Sequence, residues 1–150
     1  MITENLKASG QLSIVLTDEF GRIKEQVERN LVVTAGKAFV TSRITGTSTA
    51  AMSHMAVGTG TVAAAAGNTA LGTEVARVAL ASTTRVTTTV TNDAVQYIAT
   101  FPAGTGTGAL TEAGLFNSAS AGDMFARTVF PVINKGANDS ITITWKITIS

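Results

Sequence analysis

Apolar and polar residues alternate most cleanly at the end of the chain. Ile141, Ile143, Trp145, Ile147 and Ile149 fall on one side of a period-2 pattern, and Thr142, Thr144, Lys146 and Thr148 on the other. That period is the signature of a strand with one buried face, so Trp145 is expected in the core and not as a stacking platform for a ligand. Leu12, Ile14 and Leu16 alternate in the same way. Asp18-Glu19-Phe20-Gly21 then reads as a turn, and Ile23 and Val27 begin the return strand. Thr34 stands where it can cap a short helix running through Arg43, with Ala35, Ala38 and Phe39 on one face. Gly36 near its start weakens that helix by about 1 kcal/mol.

Beyond residue 50 the pattern predicts strands at Met52–Val57, Val75–Ser82, Arg85–Thr91, Ala94–Phe101, Leu110–Asn117, Met124–Pro131 and Ser140–Ile149. Turn residues separate them at Gly58-Thr59-Gly60, Asn92-Asp93, 102–108, 118–122 and 135–139. Threonine, about one residue in six, favours strand over helix because its β-branched side chain is stiff. The expected fold is mainly β: an antiparallel, jelly-roll-like β-sandwich with one short helix near residues 34–43. Residues 1–150 read as a single domain, in which 1–43 form a polar N-terminal hairpin or arm with the short helix and 44–150 form the sandwich body.

Charge sharpens that division. The first 43 residues hold 11 of the 21 charged side chains, and none occurs between Ile44 and Thr73. Glycine, threonine and serine interrupt this uncharged stretch too often for a membrane-spanning helix. A charged fraction of 14% is low for a soluble domain and suggests a surface covered by neighbouring subunits. Eleven basic and ten acidic residues give a net charge of +1, with no stripe of Lys and Arg along the chain, so nucleic acid is not an expected partner. Without cysteine there is neither a disulfide framework nor a thiolate metal site. Met1–Lys7 lacks the charge and apolar run of a secretory signal, which implies synthesis in the cytoplasm.

Candidate chemistry is sparse. His54, the only histidine, lacks a second imidazole or thiolate for a metal site and a partnered nucleophile for hydrolysis, so it reads as a strand or subunit contact. Glu74 and Arg77 are three residues apart, a spacing that suits an ion pair on a helical turn and not on one strand face; they are candidates for pairing with another copy of the chain. Glu112, in an apolar strand, calls for an arginine or a backbone amide, and Arg127 and Arg77 are its candidates. Gly36-Lys37 lacks the following hydroxyl and the leading glycine of a phosphate-binding loop. Gly104-Thr105-Gly106-Thr107-Gly108 reads as a flexible loop. The acidic residues in separate turns do not form a calcium loop. No catalytic residue, cofactor or metal is expected, and the chain does not read as an enzyme.

Three uncharged or charge-poor strings stand out: Met52–Gly60, Asn68–Arg77 and Leu110–Asn117. Ala56-Val57-Gly58-Thr59-Gly60, then Thr69-Ala70-Leu71 with Glu74 and Arg77, then Glu112-Ala113-Gly114-Leu115-Phe116 resembles a pattern of small structural proteins of tailed bacteriophage virions. These include capsid decoration (cement) proteins and tail-collar or fibre-like β domains. The resemblance spans about residues 50–150. It implies a β-rich virion subunit, commonly set about a symmetry axis, that binds other virion proteins and carries no catalytic residues. The absence of a fibrous repeat or heptad region favours a cement protein, a homotrimer bound to the major capsid protein lattice, over a tail, collar or baseplate component. Glu74, Arg77, Glu112, Arg127 and His54 are the expected assembly contacts. A reading from another class is a carbohydrate-binding adhesin module, which exposed aromatic platforms would favour.

Overall fold

The structure is a computed structural model that describes residues 3–47 and 49–150. The first two residues of the N-terminal segment and Ser48 of the uncharged stretch lie outside the described residues. In chain order the elements are β1 (Ala8–Thr17), β2 (Ile23–Val32), α1 (Thr34–Ile44), β3 (His54–Gly58), β4 (Glu74–Ala79), β5 (Ser82–Val86), β6 (Ala94–Phe101), β7 (Gly108–Phe116), β8 (Met124–Lys135) and β9 (Ser140–Ile149). Every strand pairing is antiparallel. The fold is therefore mainly β with one short helix. The strands form one continuous sheet in the order β4-β3-β7-β8-β2-β1-β9-β6-β5, curled into a half-barrel, and not two separately bonded layers.

β2 makes the sheet continuous. Ile23 to Asn30 pair with β1, and then only Leu31 and Val32 pair with Arg127 and Ala126 of β8. At the far ends, β4 and β5 are consecutive in sequence yet lie at opposite edges of the sheet. Leu80 donates its amide to Ser53 O and Ala81 donates its amide to Ile98 O, so two residues carry the chain from one edge to the other. The two lobes consequently face one core. Leu12, Ile14, Tyr97, Phe101, Ile143 and Trp145 come from one side, and Met55, Val57, Leu110, Leu115, Phe130 and Ile133 from the other.

The polar hairpin sits in the middle of the sheet instead of reaching away as an arm. β1 pairs with β9 along its whole length, from Ala8 opposite Ile149 to Thr17 opposite Ser140. Within β1 the polar side chains belong to one face: on the other, Leu12 lies opposite Trp145 and Ile14 opposite Ile143, and all four are buried. Apolar burial thus anchors a segment whose average composition is polar.

The helix forms where expected, with a different cap and a different buried face. Val33 is the N-cap and makes no side-chain hydrogen bond; the Thr34 amide donates instead to Ala66 O at 2.8 Å. Ala38 is exposed, whereas Gly36 is buried against β8. A Cβ on Gly36 would run into Phe125 O, so glycine allows the helix to lie directly on the strand. Phe39 closes that contact against the Phe125 ring, with centroids 5.5 Å apart.

Beyond shifts of one or two residues at strand ends, three strand expectations change. Met124–Pro131 continues through Lys135. Val75–Ser82 is broken at the Leu80–Ala81 crossing described above, and Arg85–Thr91 ends at Val86. The Asp93 carboxylate accepts the amides of Thr88, Thr89 and Val90, which takes those donors away from any ladder. No helix among the described residues is long and apolar enough to cross a membrane.

Candidate functional site

The three strings meet at one place, where a buried carboxylate holds a surface loop in shape. Glu112 enters β7 just after a register shift between Leu110 and Glu112. Its Oε1 accepts the amides of Gly60 (2.8 Å) and Thr73 (2.7 Å), and its Oε2 accepts the amide of Gly72 (2.9 Å). Arg127 of β8 donates Nε and Nη2 to the same Oε2 at 3.0 and 2.8 Å. Of the two arginines that the sequence offers Glu112, Arg127 is its partner. The guanidinium reaches onward to Asn68 Oδ1 at 2.9 Å and Val62 O at 3.0 Å. Glu112 is 0% exposed and Arg127 2% exposed.

These bonds pin Thr59–Thr73, a compact loop whose ends are joined by the Thr59 amide donating to Thr73 O at 2.9 Å. Gly60 is needed for close approach, because a Cβ there would run into the Glu112 carboxylate. Below the loop, small Ala56 and Gly114 leave room for Leu71 to lie on the sheet, beside Phe116, Met124 and Val33. Burial works against charge on Glu112. The amides of Thr73 and Gly72, the Arg127 guanidinium and the Gly60 amide outweigh that cost and hold its carboxyl below the usual carboxylate range. A carboxylate saturated in this way has no proton to give near neutral pH and its lone pairs are occupied. It acts as a clamp.

Glu74 and Arg77 also pair within the chain. Arg77 Nε meets Glu74 Oε1 at 2.9 Å and Nη2 meets Oε2 at 2.7 Å, although both residues belong to β4. A regular strand would put positions three apart on opposite faces. Here the register passes from Val57 opposite Ala76 to Gly58 opposite Glu74, and the bulge at Val75 brings the two side chains to one side. The guanidinium lies over the Phe116 ring, 3.7 Å from its centroid, and Nη1 donates to Ser118 O and Ala121 O, both at 2.9 Å. Arg77 therefore ties the β7–β8 turn to β4.

His54 stands apart from both clusters. It begins β3, is half-buried, and shares a hydrogen bond between Nδ1 and Ser53 Oγ at 2.8 Å. Among the described residues no three His, Cys, Asp or Glu side chains gather to hold a metal.

Sequence reasoning passed over the backbone donors of Gly60, Gly72 and Thr73, and over Asn68, although all four lie inside the highlighted strings. It also passed over Lys135, which is buried at the end of β8 and donates Nζ to Pro102 O (3.0 Å) and Asp139 O (2.6 Å). Burial pushes the Lys135 ammonium down from its usual range, against the opposing pull of Asp139. A lysine beside a Gly-Ala-Asn-Asp turn carries no local sign of burial.

No protein-family profile matches the chain, and neither a curated protein nor a solved structure is significantly similar to it.

Proposed function

We propose that the chain is a structural protein of a phage virion, a capsid decoration protein that binds and stabilises the lattice of the major capsid protein as a homotrimer. The observation that carries this reading is the clamped loop. Thr59–Thr73 contains no charged residue and exposes Thr61, Val62, Ala63, Ala65, Ala66, Thr69 and Ala70, yet a buried ion pair and three amide bonds hold it from beneath. Burying two charges to shape a surface loop suits a preorganised contact surface, which loses little entropy when a partner covers it. The contact runs through the loop that Glu112 and Arg127 hold, while those two side chains stay inside the subunit.

A second exposed apolar row supports the same reading. Ile23, Val27 and Leu31 are 70%, 53% and 38% exposed on the outer face of β2, with Phe20 exposed at the adjoining turn. In this reading the two lobes of the curled sheet serve as the layers of a jelly-roll-like sandwich, with these surfaces turned outward.

Cryo-electron microscopy of purified particles and the copy number of the chain test the proposal. A copy number comparable to that of the shell subunit is expected. A few copies confined to the tail would transfer the protein to a tail, collar or baseplate role. The mass of the isolated protein in solution tests the trimer.

A further inference from the structure

We propose that the concavity at the C-terminal end of β2 is a docking site for an acidic, partly apolar peptide segment of a partner protein. Lys7, Arg29, Lys37 and Lys146 line one surface concavity of about 690 Å³. They come from the lead into β1, from β2, from α1 and from β9, four separate elements of the chain. Strand register brings two of them close. Gln11 of β1 lies opposite Arg29 on one side and Lys146 on the other, which sets these cations one strand apart on each side, about 10 Å from each other.

Among the described residues none of these four cations has an ion-pair partner. The ion pairs among the described residues are Arg22–Asp18, Arg77–Glu74 and Arg127–Glu112, and no carboxylate lines the concavity. Four like charges gathered in a recess of a chain with net charge +1 focus a positive field there.

The rest of the lining selects among anions. Leu6, Leu31 and Val32 give the concavity an apolar flank, and no aromatic side chain lines it. Single-stranded nucleic acid usually requires stacking platforms, and a duplex requires cations spread along a face. A peptide that alternates carboxylate and aliphatic side chains meets both kinds of lining. This inference concerns the isolated chain and stands whether or not the protein resides in a virion.

The test titrates the isolated protein with a fluorescein-labelled peptide of alternating Glu and Leu, read by anisotropy and by the emission of Trp145, the only tryptophan. Saturable binding that weakens as salt rises is expected. Arg29→Glu and Lys37→Glu should each weaken it about tenfold, while Arg85→Glu, at an exposed cation outside the concavity, should leave it unchanged. Thermal unfolding checks that each variant is folded; Lys37→Gln and Lys146→Gln replace any charge reversal that is not. The proposal is overturned if no binding is seen, if a Gln-Leu peptide binds as tightly, or if Arg85→Glu is equally damaging. Displacement of the peptide by oligothymidine or inorganic phosphate at equal or lower concentration would also overturn it, by pointing to a nucleic-acid or simple anion site.

Discussion

Removing the charge from Glu112 leaves Arg127 buried without its counter-ion and weakens the hold on the amides of Gly60, Gly72 and Thr73. Glu112→Gln is therefore expected to cost about 3–5 kcal/mol in denaturant unfolding. Its pH dependence has a definite sign. The folded carboxyl titrates below the unfolded one, so its contribution is complete above about pH 4.3, the unfolded value, and is lost as pH falls through the lower folded value. The stability difference between the native chain and Glu112→Gln should shrink over that acidic window; a difference independent of pH would refute the clamp. Gly36 offers a test of opposite signs at one residue. Helix propensity alone predicts that Gly36→Ala gains about 1 kcal/mol, whereas the collision with Phe125 O predicts a loss of about 1–3 kcal/mol. The loss is expected, measured as a lower unfolding midpoint.

At the scale of elements, polar side chains decide where strands stop and which way their neighbours face. Asp93 ends β5 by taking three amides that a longer strand would have used, and Val90 and Thr88 hold its carboxyl well below the usual range. Asp93→Ala should accelerate amide hydrogen exchange in residues 87–93 and leave β6 and β9 protected; slowed or unchanged exchange at Thr88–Val90 would contradict the assignment. Arg77 does the corresponding work for the turn between β7 and β8, where Ala121 has a φ of 50° and its carbonyl accepts from the guanidinium. Arg77→Ala should cost roughly 1–2 kcal/mol and make residues 117–123 the first site of proteolytic nicking. Glu74→Gln, which keeps Arg77 on Phe116 and on the turn carbonyls, should cost less.

For the whole molecule, the residues that shape the proposed contact loop are distinct from those the loop exposes. Val62 is 78% exposed on the clamped loop, so Val62→Asp should weaken self-association or particle binding while leaving the unfolding free energy of the isolated chain unchanged within about 0.5 kcal/mol. Glu112→Gln should weaken both, and light scattering beside thermal unfolding distinguishes the two patterns. The same division governs what was legible in the chain. Period-2 alternation identified β1 and β9 and placed Trp145 in the core, because facing is a local property of extended backbone, and β6 and β9 have the boundaries expected from the sequence. It also narrowed the partner of Glu112 to two arginines. Choosing between them needed the pairing of β7 with β8, and joining Glu74 to Arg77 within one strand needed a bulge that reverses side-chain parity. The central place of the polar hairpin and the gathering of Lys7, Arg29, Lys37 and Lys146 depend on strand order and register between segments far apart in sequence. The sequence by itself determined most of the strand segments and the buried faces of β1 and β9, because alternation along an extended backbone is local. Tertiary structure alone decided which strands adjoin, and with that which charges are spent on one another and which remain free to meet a partner.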